Sequence, residues 1–268
     1  MSSAKPSNAG HAGAGRSSLA VWLDGCSAGD LPTMSWVHAT APSVAQAVVE
    51  RGHTLSESCE FFGRALTYLN YGRPAYPFGD DRVMKSALFG PVIFVFHAIV
   101  EAHGVSLFPF DTGAFHKGLY GGWIPREYPL DSYEMKPGED VVRRLIRRVY
   151  GSNEAYWVGQ ADGAGTFEGP MAVALMDMYG DPSVEPADDR RYAIELAVAA
   201  QLPINREYVR AVVVPDSLAA DKFVLDLKHN KNIPVFVYRT YPRKKIIEHR
   251  VFIEEKVREI EARFGGIK

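Results

Sequence analysis

The sequence contains very little cysteine. Cys26 and Cys59 are the only two among its 268 residues. They do not provide the disulfide framework of a small secreted domain, and they are not spaced as the C-x-x-C pair of a zinc knuckle. This sparse use of cysteine fits a protein of the reducing cytoplasm, so we expect a cytoplasmic location.

Long apolar runs and a large net charge are also missing. No stretch approaches the roughly 18 to 20 apolar residues that cross a membrane. Residues 1–18 lack the apolar core of a signal peptide, and their Gly, Ala and Ser content predicts a disordered tail. The net charge of -2 gives no overall attraction to nucleic acid, although it leaves room for a local basic patch.

Several common catalytic motifs are absent. The sequence has no G-x-x-x-x-G-K-[ST] phosphate loop, no H-E-x-x-H zinc helix and no G-x-S-x-G nucleophile elbow. Its glycine-rich segment 159–169 lacks the lysine of a phosphate loop and predicts ordinary turns. We therefore expect no metal site and no dedicated phosphate loop.

The patterns that are present predict an α+β fold. Strands rich in β-branched and aromatic residues are predicted at 19–23, 35–39, 91–98, 193–200, 208–215 and 235–241. Helices are predicted at 43–51, 57–70, 139–149, 217–229 and 244–263. Because helices and strands do not alternate regularly, we expect a mostly antiparallel sheet with flanking helices. We predict a catalytic domain at 19–242, which contains an ordered loop region at 104–138. A C-terminal amphipathic helix is predicted at 243–268, with an apolar stripe formed by Ile247, Val251, Val257 and Ile260.

Segment 33–52 places a histidine at the end of a strand-like run. His38 is followed by Ala39 and Thr40, which we predict to form a turn before a helix. Such a turn exposes backbone donors and acceptors that match an amide edge, and the small Ala39 side chain permits close approach. The structural alternative is a half-buried histidine, with Thr40 or Ser43 capping the helix.

Segment 58–76 carries a pair of tyrosines. Tyr68 and Tyr71 are three residues apart, so on the predicted helix they share a face. The following "YGRPAY" adds Arg73, whose guanidinium is suited to a pyrophosphate. The structural alternative is an aromatic helix face in the core, ended by the glycine and proline.

A single glutamate interrupts the strand-like run 193–200. At a period of two, Glu195 shares a face with alanines, whereas the other face is apolar. A carboxylate in such a strand is costly unless it meets water or a partner, which suggests the floor of a ligand site. Glu168, in a turn beside Gly and Pro, is the competing candidate, and a solvent-facing Glu195 is the structural alternative.

Together, the H-x-T segment, the tyrosines and the strand glutamate resemble the His–Tyr–Glu pattern of the ADP-ribosyltransferase superfamily. "YGRPAY" is similar to the aromatic–Arg–Pro segment of DarT-type nucleic-acid ADP-ribosyltransferases. The resemblance covers about residues 33–215 and implies a split, mostly antiparallel sheet that binds NAD as substrate. The implied NAD-binding residues are His38, Ala39, Thr40, Tyr68, Tyr71 and Arg73, and the implied catalytic residues are Glu195, His38 and Tyr71.

The resemblance also implies transfer of ADP-ribose to a macromolecule, in a toxin or anti-phage effector with an antitoxin as a possible partner. Arginine-modifying relatives carry Glu or Gln two residues before the catalytic glutamate, where this chain has Ala193. Basic clusters at 143–148 and 238–250 suit bases and phosphates, so we expect RNA or DNA as acceptor, with protein as the alternative. The expected substrate-binding residues are Arg239, Arg243 and Lys244. An NAD glycohydrolase and a non-catalytic binding module are the rival hypotheses.

Overall fold

The computed structural model describes residues 19–75, 84, 90–138, 140–161, 169–182 and 189–267. Two of the sequence predictions, the disordered tail 1–18 and the competing glutamate Glu168, lie outside these residues. The α-helices of the described part are α1 (Leu19–Asp24), α2 (Pro42–Arg51), α3 (Thr112–His116), α4 (Val141–Val149), α5 (Asn153–Trp157), α6 (Pro170–Gly180), α7 (Lys222–His229) and α8 (Arg250–Arg263). The strands are β1 (Trp36–Thr40), β2 (Glu57–Cys59), β3 (Arg64–Tyr71), β4 (Val92–Phe96), β5 (Gly104–Phe108), β6 (Glu195–Val198), β7 (Val209–Pro215) and β8 (Val235–Tyr238).

The strands form one mixed, mostly antiparallel sheet flanked by helices, which confirms the predicted fold class. Their order is β5-β6-β3-β1-β4-β7-β8, and β2 pairs with β3 outside this path. The pairing is antiparallel throughout the described residues except between β7 and β8, which are parallel. β1 lies at the centre of this order, with β3 beside it. These two neighbouring strands carry His38 and Tyr68, two of the predicted site residues.

The sheet is weakly joined at its centre. β1 and β3 are paired at only two positions, Trp36 with Tyr71 and Val37 with Asn70. On its other side β1 is paired with β4 at five positions. Beyond Val37, therefore, no strand in the described part of the chain pairs with β1 on the side of β3, and the sheet opens there.

The strand predicted at 19–23 is wrong, because these residues form α1. Leu19, Trp22 and Leu23 are its buried residues, and their spacing places them on one face of a helix. A five-residue apolar run is too short to distinguish helix from strand by periodicity alone.

The helix predicted at 57–70 is also wrong, because this segment forms the hairpin of β2 and β3. Gly63, at φ 62°, provides the left-handed residue that reverses the chain between the two strands. Leu66 and Leu69 are both buried, a spacing that imitates a helix. The strand places them on opposite faces, and both faces of this part of the sheet are covered.

Two further predictions need correction. The segment 104–138 is not entirely loop, since it begins with the edge strand β5 and contains α3. In the C-terminal segment, the predicted stripe is wrong at Val251, which is 65% exposed. The buried residues of α8 are instead Ile253, Val257 and Ile260, together with a glutamate.

The helix α8 belongs to the same hydrophobic core as the sheet. Its buried Glu261 accepts hydrogen bonds from the backbone N–H of Ser35, immediately before β1, at 3.1 and 3.3 Å. The 243–268 segment therefore supports the strand that carries His38. None of the helices in the described residues is both long enough and apolar enough to cross a bilayer.

Tyr71 is part of this core rather than of the predicted site. Because β3 is a strand, side chains three residues apart point to opposite faces, so Tyr71 and Tyr68 do not share one. Tyr71 is fully buried, with its ring centroid 5.0 Å from that of Trp36. Its hydroxyl oxygen accepts a hydrogen bond from the Met34 N–H at 2.8 Å.

Replacing Tyr71 with Phe removes that acceptor and leaves the buried Met34 N–H unpaired. We expect the free energy of unfolding to fall by about 1 to 2 kcal/mol. Urea unfolding followed by circular dichroism measures this change. The matched control is Tyr241→Phe, which removes a hydroxyl from an exposed residue and should change stability little. Equal effects of the two substitutions would contradict the structural role of Tyr71.

Candidate active site

A cavity of about 640 Å³ lies where the sheet opens between β1 and β3. Five of the residues singled out from the sequence line it: His38, Ala39, Thr40, Tyr68 and Glu195. They come from β1, β3 and β6 and converge only because these strands are neighbours in the sheet. Other lining residues, which the sequence did not reveal, include Glu57, Cys59, Glu60, Phe61, Asn70, Asp111 and Thr112.

His38 is held across the opening of the sheet. Its Nδ1 lies 2.9 Å from the carbonyl oxygen of Tyr68. A carbonyl only accepts, so Nδ1 carries the proton and Nε2 is left as an acceptor. Burial lowers the pKa of His38, which keeps the ring neutral. The Tyr68 carbonyl therefore sets the orientation of the ring.

The predicted turn after His38 is shorter than expected. Ala39 and Thr40 complete β1, and the chain changes direction at Ala41 before α2 begins. No side chain caps α2, whose N-cap residue is Ala41. The alternative in which Thr40 or Ser43 caps the helix is therefore wrong. The uncapped first turn of α2 contributes to the wall of the cavity through Ala41 and Val44.

Glu195 lies on the floor of the cavity with only 5% of its surface exposed. Its Oε1 accepts hydrogen bonds from Thr112, at 2.6 Å from the hydroxyl and 3.2 Å from the backbone N–H. Burial, reinforced by the nearby Asp111 carboxylate, raises the pKa of Glu195 to about 8, although the Thr112 bonds act in the opposite direction. The carboxyl group is thus largely protonated at neutral pH, and a nearby cation would favour its ionised form.

Tyr68 stands beside Glu195 on the same face of the sheet. Tyr68 is paired with Ala197, and the next residue on that face, Asn70, is paired with Glu195. The Tyr68 hydroxyl donates a hydrogen bond to Cys59 Sγ at 2.9 Å, which fixes the ring from β2. The small Ala197 side chain opposite confirms the prediction that alanines share the face of Glu195.

Arg73 does not line the cavity. It is 4% exposed, and its guanidinium pairs with Asp189 and donates to the carbonyl oxygens of Trp157 at 2.6 Å and Tyr156 at 3.3 Å. Gly72, at φ 69°, directs the chain away from the sheet at the end of β3. Because the guanidinium donors of Arg73 are used within the protein, the structure does not favour the predicted contact between Arg73 and NAD.

The two basic clusters also lie outside the cavity. Arg239, Arg243 and Lys244 follow β8, which is three strands from β1 in the sheet order. In the 143–148 cluster, Arg148 donates to the Trp22 carbonyl at 2.5 Å and lies 4.1 Å from its ring centroid. Arg148 thereby joins α4 to α1.

The cavity is acidic. Four of its lining residues are carboxylic acids, Glu57, Glu60, Asp111 and Glu195, and the described lining residues include no lysine or arginine. In the described part of the chain, no group of three or more His, Cys, Asp and Glu side chains is arranged to hold a metal ion. The electrostatics of the cavity therefore favour a cationic group.

In comparisons with known proteins, no protein-family model, curated protein or solved structure matched this chain. A functional assignment therefore depends on the chemistry of the cavity itself.

The buried carboxyl of Glu195 should make stability depend on pH. Its pKa rises from 4.5 to about 8 on folding, so the folded state binds the proton more tightly, and stability declines between these values as pH rises. Glu195→Gln mimics the protonated form. We expect its free energy of unfolding relative to the wild type to increase from pH 4.5 to 8 and then to level off. Urea unfolding at a series of pH values tests this, and a difference that does not change with pH would contradict it.

Proposed function

We propose that the protein is an NAD-dependent mono-ADP-ribosyltransferase that modifies a macromolecule. The observation that carries the proposal is the convergence of His38, Ala39, Thr40, Tyr68 and Glu195 on one cavity. These five residues belong to the set implied by the sequence resemblance, and they come from three different strands. The volume of about 640 Å³ is within the usual range of pockets for ligands of this size.

The cavity offers partners to the nicotinamide, a ribose and the pyrophosphate of NAD. The nicotinamide ring stacks on Tyr68. Its amide meets the backbone of Ala39 on the side of β1 that faces β3, where β1 is unpaired. The Nε2 of His38 accepts a hydrogen bond from a ribose hydroxyl. The pyrophosphate lies against the uncapped first turn of α2, where free N–H groups and the helix dipole attract anions. Backbone N–H groups therefore bind the phosphates, because Arg73 is paired with Asp189.

Glu195 provides the chemistry. The bond between nicotinamide and the anomeric carbon breaks with its electron pair going to the departing neutral nicotinamide, and positive charge develops on the ribose. Ionised Glu195 binds the 2′-hydroxyl and stabilises that charge from a position fixed by its hydrogen bonds to Thr112. An acceptor atom then supplies an electron pair to the anomeric carbon and loses a proton.

NAD should stabilise the folded protein if it binds in this cavity. We expect a rise of several degrees in the melting temperature at millimolar NAD, measured by differential scanning fluorimetry. Tyr68→Ala should abolish the shift, because it removes the ring on which nicotinamide stacks. Tyr71→Phe is the matched control, since Tyr71 lies on the other face of the sheet and should leave the shift intact. No shift in the wild type would contradict the proposal.

Turnover should depend on the ionisation of Glu195. Because its pKa is about 8, we expect kcat/KM for NAD to rise from pH 6, to be half-maximal near pH 8 and to reach a plateau about one pH unit higher. Glu195→Gln should lower turnover about a hundredfold or more while NAD still binds. Thr112→Val removes a hydrogen bond that lowers the pKa of Glu195, so it should move the profile to higher pH. A flat profile in the wild type would exclude Glu195 as the catalytic carboxylate.

The acceptor is identified by incubation with NAD labelled in the adenosine part, in the presence of separate protein, DNA and RNA pools. Label attached to one pool identifies the macromolecule. Free ADP-ribose formed at the same rate with and without every pool would instead indicate an NAD glycohydrolase. Binding without turnover would favour a non-catalytic binding module.

A further inference from the structure

A second cavity, of about 750 Å³, adjoins the first. The two share Phe61, which lies in the turn between β2 and β3 and contributes to the wall of each. The second cavity is formed mainly by the segment 115–131, which comes from the end of α3 and the loop after it. The same helix begins with Thr112, the residue that holds Glu195.

Aromatic rings form much of the wall of the second cavity. Phe61 and His116 are stacked in parallel, with ring centroids 3.8 Å apart and an interplanar angle of 2°. Burial lowers the pKa of His116, so this ring is neutral and does not repel a cation. Phe61 is 52% exposed although His116 covers one of its faces, so the ring retains an open face. The wall also includes Phe62, Phe115, Tyr120 and Tyr128.

The charges around the two cavities are mostly negative. Asp131 lines the second cavity, and it makes no ion pair within the described part of the chain. Glu195 is largely protonated at neutral pH and is left out of this balance. With Glu57, Glu60 and Asp111 of the first cavity, Asp131 gives four acidic side chains among the described lining residues, against one cation, Arg126. This distribution attracts a cation.

We propose that the second cavity binds a cationic side chain of a protein, with arginine as the side chain that fits best, directly beside the NAD site. Aromatic walls bind cations through the negative faces of their rings, and a planar guanidinium stacks flat on such a face. Asp131 supplies a charged partner for it. The volume accommodates the side chain together with the backbone on either side of it.

The role of this side chain as the acceptor rests on the proposed function, whereas its binding does not. In the transfer, a guanidinium nitrogen forms the bond to the anomeric carbon as nicotinamide leaves with the former bonding pair. That nitrogen releases one proton to water. This acceptor differs from the nucleic acid expected from the sequence, because the basic clusters that favoured nucleic acid line neither cavity. The expectation also depended on Ala193, at the position where arginine-modifying relatives carry Glu or Gln; in this proposal Asp131 provides the charged partner for arginine instead.

Binding is tested without NAD, by titrating the full-length protein with Nα-acetyl-arginine amide and observing it by calorimetry or NMR. The matched probe is Nα-acetyl-citrulline amide, which has nearly the same shape but no charge. We expect the arginine probe to bind at least tenfold more tightly than the citrulline probe. Equal affinities, or no binding of either, would overturn the proposal.

Two substitutions locate the site. Asp131→Asn and Phe61→Leu should each weaken binding of the arginine probe about fivefold to tenfold, by removing the charge and the ring face respectively. The controls are Asp24→Asn and Phe264→Leu, which change an exposed carboxylate and an exposed ring that line neither cavity. These two control variants should bind the arginine probe with the same affinity as the wild type. If all four variants bind alike, the arginine probe binds elsewhere and the site is wrong.

The labelled-NAD experiment separates this proposal from the proposed function. Label on protein arginine, reduced by Asp131→Asn, supports both. Label on DNA or RNA would overturn the cationic acceptor but leave the transferase intact. Binding of the arginine probe without any binding of NAD would leave the second cavity assigned and refute the transferase.

Discussion

The contact between His38 Nδ1 and the Tyr68 carbonyl connects the two halves of the sheet where their strands separate. β1 and β3 are paired through their backbones at only two positions before this point. Beyond these positions, the side chain of His38 links the two strands. One contact thereby fixes the tautomer of the histidine, the separation of the strands and the position of the Tyr68 residue. The first cavity depends on this opening, because a continuously paired sheet would leave no space between β1 and β3.

The elements around this opening hold their side chains from different directions. β2 fixes the Tyr68 ring through Cys59, and α3 fixes Glu195 through Thr112. The C-terminal helix α8 supports the start of β1 through Glu261. The contacts of Thr112 and Glu261 join segments that are distant in the chain, so the geometry of the cavity is a property of the whole fold.

Sequence reasoning identified the residues whose local pattern is informative. The strand alternation around Glu195 predicted its face correctly, and the strand-to-helix segment after His38 was located to within one or two residues. It failed where short patterns are ambiguous or where tertiary contacts decide. The 57–70 segment looks helical because both faces of β3 are covered, and this error placed Tyr71 beside Tyr68. Arg73 was selected for its chemistry, which the structure uses in a buried ion pair with Asp189.

The residues that sequence reasoning missed, Thr112, Cys59 and Asp111, carry no signal of their own, since each acquires its role only through a partner from another element. Cys59 fixes the Tyr68 ring, whereas the effect of Asp111 and Thr112 on Glu195 is mainly electrostatic. Burial and Asp111 hold the Glu195 pKa near 8, so the carboxyl group alone is poorly prepared to stabilise positive charge at neutral pH. Under the proposed function, the positively charged nicotinamide ring of NAD corrects this, because a cation beside Glu195 favours its ionised form. Substrate binding and ionisation of the catalytic carboxylate are then coupled. The acidic lining is unfavourable for the phosphates of NAD. The same lining attracts the positively charged nicotinamide ring to Glu195, the carboxylate that acts on it.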